Sequence, residues 1–175
     1  MTRWYTEKKK EHFYKEAKRV GYRARSAFKL QQIQNRFHSI PRHGSVVDLG
    51  AAPGGWSQVA KEIVGDQGTV IGVDRDSIQP LTGVQFLQGD LTKPETVTRI
   101  KEVMGGKLAD TVLSDMSPDI SGNYSMDQAR SAWLCDCALA TAEQILRPGG
   151  NFICKIFEGE DTKAFSEAVK QRFSI

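Results

Sequence analysis

Asp48, Asp74, Asp90, Asp115 and Lys155 combine a reactive side chain with a place where chemistry is done. Each stands at or just beyond a short apolar run that reads as a strand: V-V-D-L-G (46–50), I-G-V-D (71–74), F-L-Q-G-D (86–90), L-S-D-M-S-P (113–118) and I-C-K-I-F (153–157). An acid at successive strand exits serves no packing purpose. A lysine in an apolar strand is costly unless it is used or paired. Carboxylates gathered in this way suit a ligand that carries cations and hydroxyls. The lysine is a candidate general base, because desolvation and a second cation lower an ammonium's hold on its proton. Lys29 is the expected second cation, and Asp115 the group that orients one or both ammoniums.

The loop G-A-A-P-G-G-W-S-Q (50–58) narrows the ligand. A pyrophosphate at such a turn wants free backbone N–H groups, and Pro53 removes one. Asp90 and Asp115 would repel a dinucleotide as well. S-adenosylmethionine fits better, with its sulfonium, ammonium, ribose and adenine and no phosphate. Glycines let the backbone approach it closely. Asp74, 24 residues after Gly50, stands where an acid grips ribose hydroxyls in nucleotide folds. Asp90 is placed to accept from the adenine amino group. The expected cofactor set is Gly50, Ala51, Pro53, Gly54, Trp56, Asp74, Asp90 and Asp115.

The elements that hold these residues alternate. Strands are expected at 45–49, 69–73, 84–88, 109–114 and 151–156. Helices are expected at 8–18, 26–37 (with Ser26 as N-cap), 55–64, 93–103, 126–146 and 162–172. The pattern predicts an α/β fold, a mostly parallel sheet with helices on both faces. At 175 residues the chain is long enough for one domain with a proper core. Residues 1–40 are expected to be a basic helical arm that binds RNA, and 41–175 the catalytic core. No apolar run approaches a membrane span, and the N-terminus lacks the apolar stretch of a secretory signal. Cys135, Cys137 and Cys154 are odd in number and lack zinc spacing, so no metal is expected. His12, His38 and His43 are scattered and receive no role.

Net charge is +3, but residues 1–29 hold ten Lys/Arg against three Glu. Basic residues interleaved with Trp4, Tyr5, Phe13, Tyr14, Tyr22 and Phe28 suit a polyanion with stacking bases. Lys8, Lys9, Lys10, Arg19, Arg23 and Arg25 are the expected RNA contacts. The methyl acceptor follows by elimination. S-D-M-S-P has one proline and no aromatic after it, unlike the Asn/Asp-Pro-Pro-aromatic run of amino methyltransferases. No cysteine precedes a proline, as carbon methylation of cytosine commonly requires. Oxygen remains, with Lys155 taking the proton from a ribose 2′-hydroxyl held in line.

The segments G-Y-R-A-R-S-A-F-K-L (21–30), V-V-D-L-G-A-A-P-G-G-W-S-Q (46–58), F-L-Q-G-D (86–90), L-S-D-M-S-P (113–118) and L-R-P-G-G-N-F-I-C-K-I-F (146–157) together resemble the FtsJ/RrmJ family of ribosomal RNA 2′-O-methyltransferases. The resemblance implies a Rossmann-like S-adenosylmethionine-dependent methyltransferase fold, in which Gly54, Trp56, Asp74, Asp90 and Asp115 line the cofactor site. It implies a catalytic set of Lys29, Asp115 and Lys155, and as substrate a uridine of large-subunit ribosomal RNA in the cytoplasm. The family's set also includes a glutamate on a later strand, and this chain stops at R-F-S-I where that strand should begin. The expectation is a shortened member without the last strands, monomeric, with an open sheet edge. Methylation of tRNA or an mRNA cap, or RNA binding by a catalytically impaired relative, are the alternatives.

Overall fold

The computed structural model describes residues 3–174, and for residues 3–10 and 13 the backbone alone. Eleven elements run in the order α1 (Arg3–Val20), α2 (Ala27–Phe37), β1 (Ser45–Leu49), α3 (Gly55–Val64), β2 (Thr69–Asp74), β3 (Val84–Gln88), α4 (Pro94–Val103), β4 (Ala109–Ser114), α5 (Tyr124–Ile145), β5 (Leu146–Cys154) and α6 (Thr162–Lys170). The strands form one parallel sheet in the order β3-β2-β1-β4-β5. Alternate residues of the central strands feed opposite faces, as the pleat requires. Val46, Val70 and Leu113 pack with Leu30, Trp56 and Val59 under α2 and α3. Val47, Leu49, Val73 and Val112 pack with Ile100, Ala138 and Ile145 under α4 and α5. Both faces are therefore covered, as the alternation predicts.

The packing runs across position 40, because Ala27, Leu30 and Ile40 of the basic N-terminal region belong to the same buried cluster as α3. Tyr22 fastens this region further. Its hydroxyl donates to Glu62 at 2.6 Å and accepts from Gln31 at 2.6 Å, and burial together with the Glu62 carboxylate pushes the phenol up to about 12.

Several element boundaries differ from the sequence expectation, and three places show why. Ser26 precedes α2, but its backbone is already helical and its hydroxyl makes no cap bond. α5 begins at Tyr124 because the Asn123 side chain accepts from Met126 N at 3.2 Å, a cap of ordinary type. β5 begins at Leu146, since R-P-G-G does not interrupt the ladder but bulges within it. Ala109 pairs with Leu146 and Thr111 with Asn151. Gly150 is required there, since a Cβ would lie 2.9 Å from the Asp110 carbonyl oxygen.

Candidate functional site

The chain leaves β1 toward β2 and β3 on one side and reaches β4 and β5 on the other, so the crevice beyond the carboxyl ends of β1 and β4 is the natural ligand position of such a sheet. A cleft of about 730 Å3 lies there. Gly50 turns the chain at its base with φ of +75°, and a Cβ would come 2.4 Å from Met116 Cγ. The N–H groups of Gly50 and Ala51 donate to the Val73 carbonyl at 2.8 and 3.1 Å, which ties the loop to β2.

The cleft acids are held by backbone. Asp74 accepts from Ala52 N through one oxygen and from Asp76 N through the other, each at 2.9 Å. Asp90 accepts from Thr92 N at 2.9 Å and Thr92 Oγ1 at 2.7 Å, and these bonds hold its carboxyl below the usual range. Asp48 differs from the other three acids. It lies within β1, fully buried, with one oxygen on Ser57 Oγ at 2.7 Å and the other without a partner. Burial pushes it up to about 7, against the Ser57 bond and with the nearby Asp115 and Asp74 carboxylates adding to the rise. It therefore supports the loop from beneath and does not line the cleft.

The structure brings Gly50, Asp74, Asp90 and Asp115 to the cleft wall. Ala51, Pro53, Gly54 and Trp56 fall outside it. Trp56 is buried against α2, its indole N–H donating to Ser26 O at 2.9 Å. A Cβ on Gly54 would meet the Arg23 guanidinium at 3.1 Å, and one on Gly55 would meet Ala24 Cβ at 2.9 Å. These two glycines make room for the N-terminal region; of the two, Gly54 was expected at the cofactor.

Lys155 follows β5 directly, its N–H extending the ladder to Ser114 O at 2.9 Å. Its Nζ pairs with Asp115 Oδ1 at 2.6 Å and donates to Ser117 Oγ at 3.1 Å and to Asp115 O at 3.2 Å. The expected pairing of Lys155 with Asp115 is thus present. Lys29 is exposed in the first turn of α2 and makes no ion pair or hydrogen bond through its side chain among the described residues, so the structure does not join it to Lys155.

The expected RNA contacts divide. Arg25 is exposed. Arg19 pairs with Glu16 at 3.2 Å. Arg23 gives its guanidinium to the carbonyls of Gln79 (2.5 Å), Pro80 (2.6 Å) and Pro53 (3.3 Å). It is a clamp on the core, a use that nothing in a basic run betrays. The side chains of Lys8, Lys9 and Lys10 lie outside the described residues. Sequence reasoning also missed Met116, Ser117, Trp133 and the Arg75–Asp119 pair (2.8 and 2.9 Å), all at the cleft. Trp133 stays 53% exposed on α5, which its setting among Ala132, Leu134 and Cys135 does not announce. Among the described residues no group of three or more His, Cys, Asp or Glu is placed to hold a metal ion, and no helix is long and apolar enough to cross a membrane.

A five-stranded parallel sheet with helices on both faces and an acid-lined cleft at its switch point defines an α/β fold of methyltransferase type. The chain belongs to the FtsJ-like methyltransferase family, whose model matches residues 22–175. It is 52% identical over 165 residues to ribosomal RNA large subunit methyltransferase E of Methanothrix thermoacetophila, covering 94% of this chain and 64% of that protein. It is 48% identical over 167 residues to the protein of the same name from Methanocella arvoryzae, covering 95% and 64%. The chain thus spans a little under two thirds of the length of these curated relatives. Among solved structures, one described as a ribosomal RNA methyltransferase from Plasmodium falciparum superposes with a TM-score of 0.79 at 28% identity, covering 88% of each chain. Aeropyrum pernix fibrillarin, solved with S-adenosyl-L-methionine, shares the fold at a TM-score of 0.55 and 16% identity, over 76% of this chain and 58% of that one.

Proposed function

We propose that this chain uses S-adenosylmethionine to methylate the 2′-hydroxyl of a ribose in large-subunit ribosomal RNA. The observation that carries the reading is the Lys155–Asp115 ion pair, 2.6 Å long, at the edge of the acid-lined cleft. The cleft suits the cofactor. Its volume of about 730 Å3 lies within the range of small-molecule sites, and Asp74, Asp90 and Asp115 offer the negative charge that a sulfonium and an ammonium require. When bound, the cofactor supplies an electrophilic methyl group. Asp74, its carboxylate fixed by two backbone N–H groups, would hold the ribose hydroxyls. Asp90 would accept from the adenine amino group.

Lys155 takes the proton of the ribose 2′-hydroxyl, and Asp115 holds the Nζ in place while that proton moves. Arg25, Lys29 and the lysines at 8–10 provide charge for the RNA backbone, which positions the substrate without choosing a base. Arg23 is left out of this set because three carbonyls already occupy it. The expected uridine target and a cytoplasmic location follow from the same reading. It is tested with methyl-labelled cofactor and large ribosomal subunits that lack their own methylation. Label should appear in an alkali-resistant dinucleotide, because a blocked 2′-oxygen cannot attack the neighbouring phosphate. Lys155→Ala should lower transfer by at least about a hundredfold with cofactor affinity nearly intact. Label that persists in Lys155→Ala would remove the lysine from the chemistry.

A further inference from the structure

We propose that Ser117 is a positioning residue for Lys155, its hydroxyl aiming the amine at the oxygen that receives the methyl group. The proposal rests on Lys155 being the proton acceptor. The Lys155 Nζ has three oxygen partners: Asp115 Oδ1 at 2.6 Å, Ser117 Oγ at 3.1 Å and Asp115 O at 3.2 Å. A protonated lysine has three N–H groups and no acceptor, so all three donors are engaged. The partners differ in kind. A carboxylate and a carbonyl only accept, whereas a hydroxyl accepts or donates.

That difference fixes a direction. Once Lys155 is neutral it keeps two N–H groups and gains a lone pair. The two N–H groups stay with the two Asp115 oxygens, because neither can face a lone pair. The lone pair then points at Ser117, whose hydroxyl turns to donate. Ser117 therefore holds Nζ along one line in both charge states. Its side chain is exposed at the cleft wall, so an arriving hydroxyl can exchange with it on that line. The acceptor O–H bond then breaks, an N–H bond forms on Lys155, and the oxygen keeps the electron pair with which it attacks.

The remaining groups around Lys155 do not duplicate this part. The Cys135 and Cys154 thiols beneath it bond its carbonyl, at 3.2 and 3.8 Å, not its amine. The Phe157 ring lies 5.9 Å from Nζ and offers a face but no proton. Asp115 is the charged partner, and it is engaged in both states.

The test uses the full chain with labelled cofactor and unmethylated large subunits, over a range of pH. Ser117→Ala removes an acceptor from the ammonium, which favours loss of its proton. The alkaline-rising limb of the rate should move to lower pH by about half to one unit. The amine also loses its aim, so kcat should fall about tenfold while KM for RNA stays within about twofold. Ser117→Thr, which keeps the hydroxyl, should restore both. A readout free of catalysis is the titration of Lys155 itself in protein labelled with 13Cε-lysine, its resonance assigned by its loss in Lys155→Arg. Its midpoint should move with the limb. An unmoved limb and midpoint, a loss confined to KM, or failure of threonine to rescue would each overturn the proposal. If Lys155→Ala itself keeps transferring methyl groups, the base reading fails and the proposal falls with it. If Lys155→Ala is inactive while Ser117→Ala leaves limb and midpoint in place, the proposal alone fails.

Discussion

Asp110 near the start of β4 and Asp115 just after its end are five residues apart, and they are used in opposite ways. Asp110 is closed. It accepts from Ser45 N at 2.8 Å, Ser45 Oγ at 3.3 Å and Arg147 Nε at 2.6 Å. These bonds outweigh its burial and hold its carboxyl below the usual range. The acid staples β1, β4 and β5 at their amino ends and leaves nothing for a ligand. Asp115 is bonded to Lys155 yet lines the cleft with Asp74 and Asp90. The amino edge of the sheet spends its charges on the fold, and the carboxyl edge keeps its charges for a visitor. An acid in a strand-flanking position is therefore informative only together with the edge it occupies, which follows from the fixed direction of a parallel sheet.

That contrast can be broken experimentally at three points. The largest effect is expected at the carboxyl edge. Asp74→Ala should weaken binding of S-adenosylmethionine by roughly ten- to a hundredfold in calorimetry, the scale of hydrogen bonds to a charged group, with the urea midpoint little changed. Asp110→Ala should do the reverse. It should cost about 2 kcal/mol of stability, measured by urea unfolding, and leave cofactor affinity as it was. If cofactor affinity fell with Asp110 and not with Asp74, the division between the edges would be wrong.

The third test sharpens the comparison by its sign. Asp48 sits inside β1 and is pushed from 3.8 up to about 7, so the folded state binds its proton more tightly than the unfolded chain does. Its contribution to stability is present at low pH and is lost as pH rises from about 4 through about 7, at up to about 1.4 kcal/mol per pH unit. Asp110, with its carboxyl held down, contributes in the opposite sense, losing its share as pH falls. Asp48→Asn should flatten the fall in melting temperature between pH 4.5 and 7.5. A variant that kept the wild-type slope would remove Asp48 from that account.

The sequence carried most of the architecture, and the limits of what it carried have physical causes. β1, β3, β4 and α3 lie at their expected bounds because each is an apolar run cut by residues with a turn conformation, such as Gly50 and Gly65. The R-P-G-G bulge was unreadable, since the same residues end a helix equally well. Only pairing with β4 decides the matter. The acids at strand exits announced the cleft, because charge beside apolar runs has few other uses. What stayed hidden was set by tertiary contact. Arg23 looks like any basic residue until the loop at 79–80 offers its carbonyls. Ser117 looks like a turn residue until Lys155 reaches it. Lys29, expected beside Lys155, gains no such contact.

The fit between Ala24 and Gly55 has a consequence for how this chain can change by descent. A Cβ at 55 would lie 2.9 Å from the methyl of Ala24, so each residue sets the size limit of the other across a sequence gap of 31 positions. Enlargement at either site alone is closed. A lineage that enlarges residue 55 must first shrink residue 24, and the intermediate, with two glycines, gives up the packing of the Ala24 methyl and gains backbone freedom at once. The basic N-terminal region and the glycine loop are thus inherited as one unit, and a graft that borrows either from a distant cousin without the other is expected to arrive misfitted.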